Sequence, residues 1–465
     1  MKLIVTINEP TLESALGAVL SISDPHQGIE LRIDRFQKLP DLSAVRASTD
    51  QMLIVTDRTD GSRPQRLDIP ALIAEGVDLI DVEYRDDLDF EMIERHRDRI
   101  ILSHHDFHSV SDLEPLLESM RRLGCAHTKI AVTPSDFHQN RNLLAHSQPG
   151  LTLVGMGERG LYSRILAPFF GSELVFVAPD EGEPGAEGQL SLGRALDIYG
   201  TGPLTEWPQI FAVVGDRVGH SLSPGIHNPL FRARGVRAAY GIASVTTFEE
   251  VAAAMLADEP FAPAGISVTA PFKEDAFRFA RKQKAKIAPN AAETKAVNTL
   301  VRMKKGWLAD NTDVDGFTSI LPAFDSQPAA DSHEWHSEGD EDDGFSISLD
   351  DVAPDQAVAV LGAGGTARAA VVALMRAGRE VVVYNRTLAR AQQMEKEFGV
   401  RARPLEELPS FNGDLIIDTL PVQMDLTLRP SMTYLRTSYA EGNAAIARAR
   451  AAGAQVIQPL DLLRA

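Results

Sequence analysis

Eight short runs of β-branched and aliphatic residues, LIVTI, IELRI, MLIVT, DLIDVE, RIILSHH, TKIAV, LTLVG and ELVFVA, recur between Leu3 and Ala178, with amphipathic stretches between them. Arg32, Arg58, Glu83, His105 and Lys129 stand at comparable run ends, 26, 25, 22 and 24 residues apart, which is one strand plus one helix per step. Eight such units predict a (β/α)8 barrel over residues 1–203. The run ends are unusual for structural strands because they carry charge. In a barrel of this kind the C-terminal strand ends form the rim where chemistry is placed.

Beyond the repeat, the Pro-containing junction TGPLTEWPQ leads into a new strand, IFAVVGD, and a second α/β region over residues 208–324. Residues 325–355 follow as an acidic linker: ten Asp or Glu and no Lys or Arg fall between Asp325 and Asp351. Such a run reads as a solvated segment. Residues 356–465 open with VAVLGAGGTARAAVVALM and EVVVYNRT, which is strand, glycine turn, helix and strand, the start of a Rossmann-type dinucleotide-binding lobe. The net charge of −19 argues against nucleic acid as a partner. No apolar run reaches the length of a membrane span. The start MKLIVTINEP lacks the long apolar region and cleavage site of a signal peptide, so a cytoplasmic location is expected. One cysteine, Cys125, excludes an intramolecular disulfide and a cysteine-based metal cluster, and no metal is expected.

Within the repeat, Lys129 in HTKIAV can form a Schiff base with a ketone once its amine is neutral. His105, at the end of the preceding run, can remove a proton α to the resulting iminium and later assist loss of water. Strand alternation points His104 and His105 to opposite faces, so only one of them reaches the barrel mouth. Glu30, Arg32, Arg58, Glu83 and Arg164 are expected on the same rim, and three arginines imply an anionic substrate. A ring of structural ion pairs is the plainer reading of the same charges.

Taken in order, ELRID at Glu30 to Asp34, the TDR around Arg58, DVE ending at Glu83, HDF beginning at His105, KIAVTP beginning at Lys129, the Ser163–Arg164 pair and GQL with Gln189 resemble the class I 3-dehydroquinate dehydratases over about residues 1–203. The resemblance implies Lys129 as the Schiff-base lysine, His105 as the general acid/base and Glu83 as its orienting carboxylate. It also implies substrate contacts from Arg58, Arg164, Glu30, Arg32 and Gln189. The HDF match selects His105 over His104. Two positions depart from the family pattern: the text around the arginine is DRTDGSR, where the family usually follows it with an acidic residue and paired glycines, and Gly185 stands where a serine is usual.

In the second region, VVGDRVGHSLSPGIHN carries Ser221 and Ser223 on a turn expected to depend on Gly219 and Pro224. GISVTAPFK supplies Thr269 and Lys273, and AVNT and DNTDVDG supply Asn298, Thr312 and Asp313. A lysine and an aspartate among hydroxyl and amide donors suit a polyol substrate and a proton relay for carbonyl reduction. The set resembles the substrate domain of the shikimate dehydrogenases, which implies Lys273 and Asp313 as the catalytic pair and Ser221, Ser223, Thr269, Asn298 and Thr312 as substrate contacts.

The fingerprint Gly362, Ala363, Gly364, Gly365, Thr366, Ala367 supplies a tight turn, a close backbone approach to a pyrophosphate and a close-packed helix. At the next strand end, 23 residues beyond Gly362, stand Asn385, Arg386 and Thr387 in place of the acidic residue that favours NAD, so NADP(H) is the expected coenzyme. The family usually ends in a helix that returns a glutamine to the substrate. Here the text is MTYLRTSYAEG and then PLDLLRA, which implies a coenzyme lobe shortened at its C-terminal end. The two resemblances imply dehydration of 3-dehydroquinate followed by NADPH-dependent reduction of 3-dehydroshikimate to shikimate. Two rival readings are a weak, quinate-specific or non-catalytic second half, and a sensor that binds pathway intermediates without turnover.

Overall fold

The computed structural model describes residues 1–22, 27–37, 41–59, 65–85, 88–108, 112–181, 184–204, 206–320, 357–430, 432–438, 444–457 and 462. The acidic run at 325–355 and the ends of the C-terminal segment, at 458–461 and 463–465, lie outside these residues. The described chain packs as two compact units, residues 1–267 and 268–465.

The first unit is built on eight parallel strands, β1 (Lys2–Ile7), β2 (Gln27–Arg32), β3 (Met52–Thr56), β4 (Leu79–Glu83), β5 (Ile100–Asp106), β6 (His127–Val132), β7 (Leu151–Gly155) and β8 (Leu174–Val177). Helices α1 (Leu12–Ser21), α2 (Ser43–Ser48), α3 (Ile69–Ala74), α4 (Phe90–His96), α5 (Leu113–Arg122), α6 (Phe137–Ala145), α7 (Leu161–Leu166) and α8 (Leu192–Tyr199) alternate with them. Six of the helices start where a side chain caps the first turn: Thr11, Asp68, Asp89, Asp112, Asp136 and Ser191 each accept a backbone N–H. The strand order is 7-6-5-4-3-2-1-8, a barrel whose ladder is continuous except between β7 and β8. At that seam the N–H of Leu153 donates to the Ser172 hydroxyl rather than to a strand carbonyl.

Parallel register fixes which side chains share the interior. Thr6 lies opposite Glu30, Arg32 opposite Thr56, Thr56 opposite Asp81, Glu83 opposite Ser103, and Ser103 opposite Lys129. Two residues back on the same faces, Ile4, Ile54, Leu79 and Ile101 pack with Leu174 and the partly buried Phe176 into an apolar floor. Gly28 lets this floor pack closely, since a Cβ would come within 2.6 Å of Ile4 Cδ1 and push that side chain aside. The barrel interior is thus an apolar plug under a polar layer at the C-terminal rim.

The first unit continues through β9 (Gln209–Gly215), α9 (Ser223–Ala233), β10 (Ala238–Ser244) and α10 (Phe248–Leu256), with β9 and β10 paired in parallel. All six residues of α7 are buried, because the helix packs on β7 on one side and on β10 on the other. The division between the units falls inside β11 (Gly265–Val268).

The second unit opens with α11 (Lys273–Lys282), β12 (Lys286–Ile287), α12 (Pro289–Thr294), β13 (Thr299–Arg302), β14 (Trp307–Asp310) and α13 (Asp313–Ile320). It goes on through β15 (Val358–Leu361), α14 (Gly365–Arg376), β16 (Val381–Asn385), α15 (Leu388–Phe398), β17 (Arg401–Pro404), β18 (Leu415–Asp418), β19 (Thr433–Arg436), α16 (Ala444–Ala451) and β20 (Gln455–Ile457). The last six strands form one parallel sheet in the order 17-16-15-18-19-20, the doubly wound arrangement of dinucleotide-binding folds. Its switch point lies between β15 and β18, and the glycine-rich turn follows β15 directly.

Candidate active sites

The rim of the barrel holds one connected polar network. Lys129, with 5% of its side chain exposed, donates from Nζ to Asp81 Oδ2 at 2.9 Å, lies 3.8 Å from Glu30 Oε1, and sits 3.8 Å above the centre of the Phe176 ring. Ser103 Oγ donates to the other oxygen of Asp81 at 2.6 Å and lies 3.3 Å from Glu83 Oε2. Glu83 in turn holds His105 at two points: Oε1 accepts the backbone N–H at 2.8 Å, and Oε2 lies 2.6 Å from Nδ1. In the tautomer that carries its proton on Nδ1, that carboxylate accepts it and Nε2 is left unprotonated. Lys129 and His105 therefore belong to one hydrogen-bonded chain on one inward face. His104, opposite Ile130 in the register, lies on the other.

Arg58 Nη1 lies 3.0 Å from Glu83 Oε2 and 2.7 Å from His105 Nδ1, so guanidinium and imidazole share one carboxylate edge. On the opposite side Glu30 accepts from Thr6 Oγ1 and Thr56 Oγ1, both at 2.7 Å. Gln189 joins through Thr6, donating from Nε2 at 3.0 Å, while its Oε1 accepts from the N–H of Gly185 at 2.7 Å. Arg32 forms a two-point pair with Asp34 at 2.8 and 2.9 Å. Arg164 stands apart in its contacts: buried in α7, it donates from Nε to the Gly155 carbonyl at 2.8 Å.

The electrostatics follow from burial opposed by close charges. Burial resists the charge on Asp81, but Lys129 and then Arg58 outweigh it and hold the carboxyl well below the usual range. Glu30 is held low in the same way by Lys129 and Arg32 against burial. His105 moves in the opposite sense for a base of its type: burial, with Arg58 as second cause, lowers it to about 4 despite the pull of Glu83, so the imidazole is neutral at ordinary pH. Burial brings Arg164 down to about 10.

Sequence reasoning missed Asp81, Ser103, Thr6 and Thr56. Asp81 was detectable, since it sits two residues before Glu83 in the same strand and so on the same face.

In the second unit the antiparallel register of β13 with β14 places Thr299 opposite Asp310, which brings Asn298 beside Thr312 and Asp313. Asn298 Nδ2 donates to Thr312 Oγ1 at 3.0 Å and to Asp313 Oδ1 at 2.8 Å. Lys273, at the start of α11 and buried, donates from Nζ to Asp313 Oδ2 at 2.5 Å and to Thr366 Oγ1 at 2.8 Å. The lysine thus touches the glycine-rich turn, a contact the sequence did not disclose. Gly365 is tied to it, because a Cβ there would come within 2.6 Å of Lys273 Cβ. Thr269 precedes α11, its carbonyl accepting the N–H of Phe272. Ser221 and Ser223 lie in the first unit, linked hydroxyl to hydroxyl at 3.1 Å.

The residues of the glycine turn suit a dinucleotide. Gly362 has φ +108, and a Cβ would meet Thr419 Oγ1 at 2.5 Å. Gly364 has no atom within 4 Å of where a Cβ would stand, leaving room for a pyrophosphate beside the uncapped N-terminus of α14. Ala363 and Ala367 are buried, the latter fully, as a close helix-to-strand contact requires. At the end of β16, Asn385 Nδ2 donates to the Thr387 carbonyl at 2.8 Å, shaping the loop that exposes Arg386.

A barrel with a buried lysine and a hydrogen-bonded imidazole, followed by a doubly wound dinucleotide-type fold with a Lys–Asp pair, defines a class of α/β proteins with two candidate sites. Residues 3–202 match the type I 3-dehydroquinase model, 213–300 the shikimate dehydrogenase substrate binding domain, and 348–419 the shikimate / quinate 5-dehydrogenase model. A relative from Arabidopsis thaliana named bifunctional 3-dehydroquinate dehydratase/shikimate dehydrogenase, chloroplastic, is 29% identical over 83% of this chain and 65% of its own length. A shikimate dehydrogenase (NADP(+)) from Hyphomonas neptunium is 32% identical over 55% of this chain and 87% of its own length. The crystal structure of shikimate 5-dehydrogenase from Thermus thermophilus in complex with NADP(H) and shikimate is 27% identical, with a TM-score of 0.42, over 55% of this chain and 88% of that one. The chain belongs to the shikimate dehydrogenase family, with a type I 3-dehydroquinase match in the residues ahead of it. It spans 65% of the length of the A. thaliana relative and 59% of that of a shikimate biosynthesis protein AroDE from Chlamydia muridarum. Among the described residues no helix is long and apolar enough to cross a membrane, and no group of His, Cys, Asp or Glu suits a metal ion.

Proposed function

We propose that residues 1–203 dehydrate 3-dehydroquinate to 3-dehydroshikimate through an imine on Lys129, and that the substrate region 208–324 with the coenzyme region 356–465 reduces that product to shikimate with NADPH, both in the cytoplasm. The observation that carries the reading is the Lys129–Asp81–Ser103–Glu83–His105 chain, which joins an amine to a neutral imidazole over an apolar floor. The Lys129 amine attacks the ketone and water leaves as the iminium forms. His105, basic at Nε2, removes the adjacent proton, and as an imidazolium returns it to the departing hydroxyl; water then hydrolyses the product imine, which restores the ketone and frees Lys129. Arg58, Arg32 and Arg164 bind the anionic substrate, with Glu30 and Gln189 at its hydroxyls.

At the second site Gly362 to Ala367 would hold the pyrophosphate of NADP(H), and Arg386 with Asn385 and Thr387 its 2′-phosphate. NADPH, when bound, supplies the hydride. Lys273 delivers a proton to the carbonyl oxygen and Asp313 orients the lysine, while Asn298, bonded to both Asp313 and Thr312, steadies Asp313; Asn298 and Thr312 also contact the substrate. Ser221, Ser223 and Thr269 contact the substrate.

Supplying 3-dehydroquinate and identifying products tests both halves. Without NADPH, 3-dehydroshikimate accumulates, and with it, shikimate. Unaltered 3-dehydroquinate overturns the first assignment, and quinate in place of shikimate overturns the second.

A further inference from the structure

The loop from β9 carries Ser221 and leads into α9 at Ser223, yet two of the residues that hold it, Glu158 and Arg194, come from the barrel. Glu158, in the turn after β7, accepts at Oε1 from the N–H of Gly219 at 2.5 Å and from the Ser244 hydroxyl at 2.7 Å. Ser244 Oγ in turn accepts from the N–H of Val218 at 3.2 Å. Arg194, in α8, donates from Nη2 to the Ser221 carbonyl at 2.9 Å. Gly219 is not at a positive φ, so the turn itself does not demand glycine. A Cβ at Gly219 would come within 2.3 Å of Glu158 Oε2, so a side chain there would displace the carboxylate from the loop. Downstream of this anchor the loop closes on itself, with Ser221 Oγ accepting from the N–H of Ser223 at 3.3 Å.

We infer that Glu158 and Arg194 are positioning residues for the second reaction: contacts from the barrel residues hold the serine loop in its substrate-binding shape. The inference rests on the proposed role of Ser221 and Ser223. A carboxylate that takes two donors at one oxygen sets the height of the loop at Gly219, and the guanidinium sets it again at Ser221. Each contact lies outside the residues that react, so its loss changes how well substrate is bound rather than how fast bound substrate reacts.

The test uses the full-length chain and measures reduction of 3-dehydroshikimate by NADPH, calorimetric binding of shikimate, and dehydration of 3-dehydroquinate in the same preparations. Glu158→Ala and Gly219→Ala should each raise the KM for 3-dehydroshikimate and the Kd for shikimate about tenfold, the scale of one or two lost hydrogen bonds, with kcat and the KM for NADPH little changed. Arg194→Met should act in the same direction. Glu158→Gln, whose amide oxygen can accept both donors, should restore near wild-type values, and dehydration should be unaffected throughout. An unchanged KM in Glu158→Ala, or a Gln variant as impaired as the Ala variant, overturns the inference, as does a parallel loss of dehydratase activity. Ser221→Ala and Ser223→Ala separate the two levels. If they raise the KM and Glu158→Ala does not, the clamp alone fails; if they leave it unmoved, the proposed serine role fails first.

Discussion

Replacing Lys129 by Met keeps a chain of similar length in the barrel but leaves Asp81, fully buried, without its closest cation. Removing one member of a buried pair costs about 3–5 kcal/mol, because the remaining charge is desolvated without compensation. Arg58, 3.8 Å from Asp81, offsets a part of this, so the lower end of that range is expected at neutral pH. The pH dependence gives the sign. In the parent chain Asp81 is held below its unfolded value of 3.8, so the pair stabilises the fold above that pH and the contribution fades as pH falls through the depressed folded value. In Lys129→Met burial is opposed by less positive charge, so the folded carboxyl titrates higher than before. The deficit is then largest at neutral pH and narrows on acidification. Hydrogen exchange of peptides from β4 and β6 in the full-length chain, at several pH values, measures it without assuming that both units unfold together. Lys129→Met/Asp81→Asn should recover most of the loss. A Met variant as stable as the parent, or a deficit that grows with acid, would refute the reasoning.

Because His105 sits at about 4, the acidic limb of kcat/KM for dehydration should fall near that pH, and Arg58→Gln should move it upward by removing a charge that lowers the imidazole; a limb near the usual histidine value in the parent chain would contradict this. Asp313→Asn should reduce the rate of NADPH oxidation about 10²–10⁴-fold while leaving NADPH binding, read by fluorescence titration, intact. Arg386→Gln should weaken NADPH binding by about 10- to 100-fold and leave NADH nearly unchanged, the scale of one charge-assisted contact to a phosphate; equal effects on both would remove Arg386 from the 2′-phosphate.

The barrel was legible because parallel strands impose a step of fixed length, and the charged run ends marked its rim. Alternation also put His104 and His105 on opposite faces, and the HDF match chose His105 as the inward one. What stayed hidden was how the charges are satisfied. Asp81 and Ser103 read as ordinary strand residues until the register sets them beside Lys129, where they join it to Glu83 and His105 in one polar network. Arg164 lies in a helix buried on both sides, and its contacts do not reach that network among the described residues. Sequence spacing cannot report such packing, because α7 meets β10 across a long stretch of chain. For the same reason the sequence attributed Gly219 to its turn, whereas a side chain there would displace the carboxylate of Glu158. The contact of Lys273 with Thr366 joins residues 93 positions apart and had no local signal.

Borohydride trapping tests the central chemistry most directly. Incubation with 3-dehydroquinate and reductant, followed by peptide mass spectrometry, should leave a reduced substrate adduct on the peptide bearing Lys129 and abolish dehydration in step with its formation. A chain that still dehydrates 3-dehydroquinate with no adduct, or with the adduct on another lysine, would contradict the account.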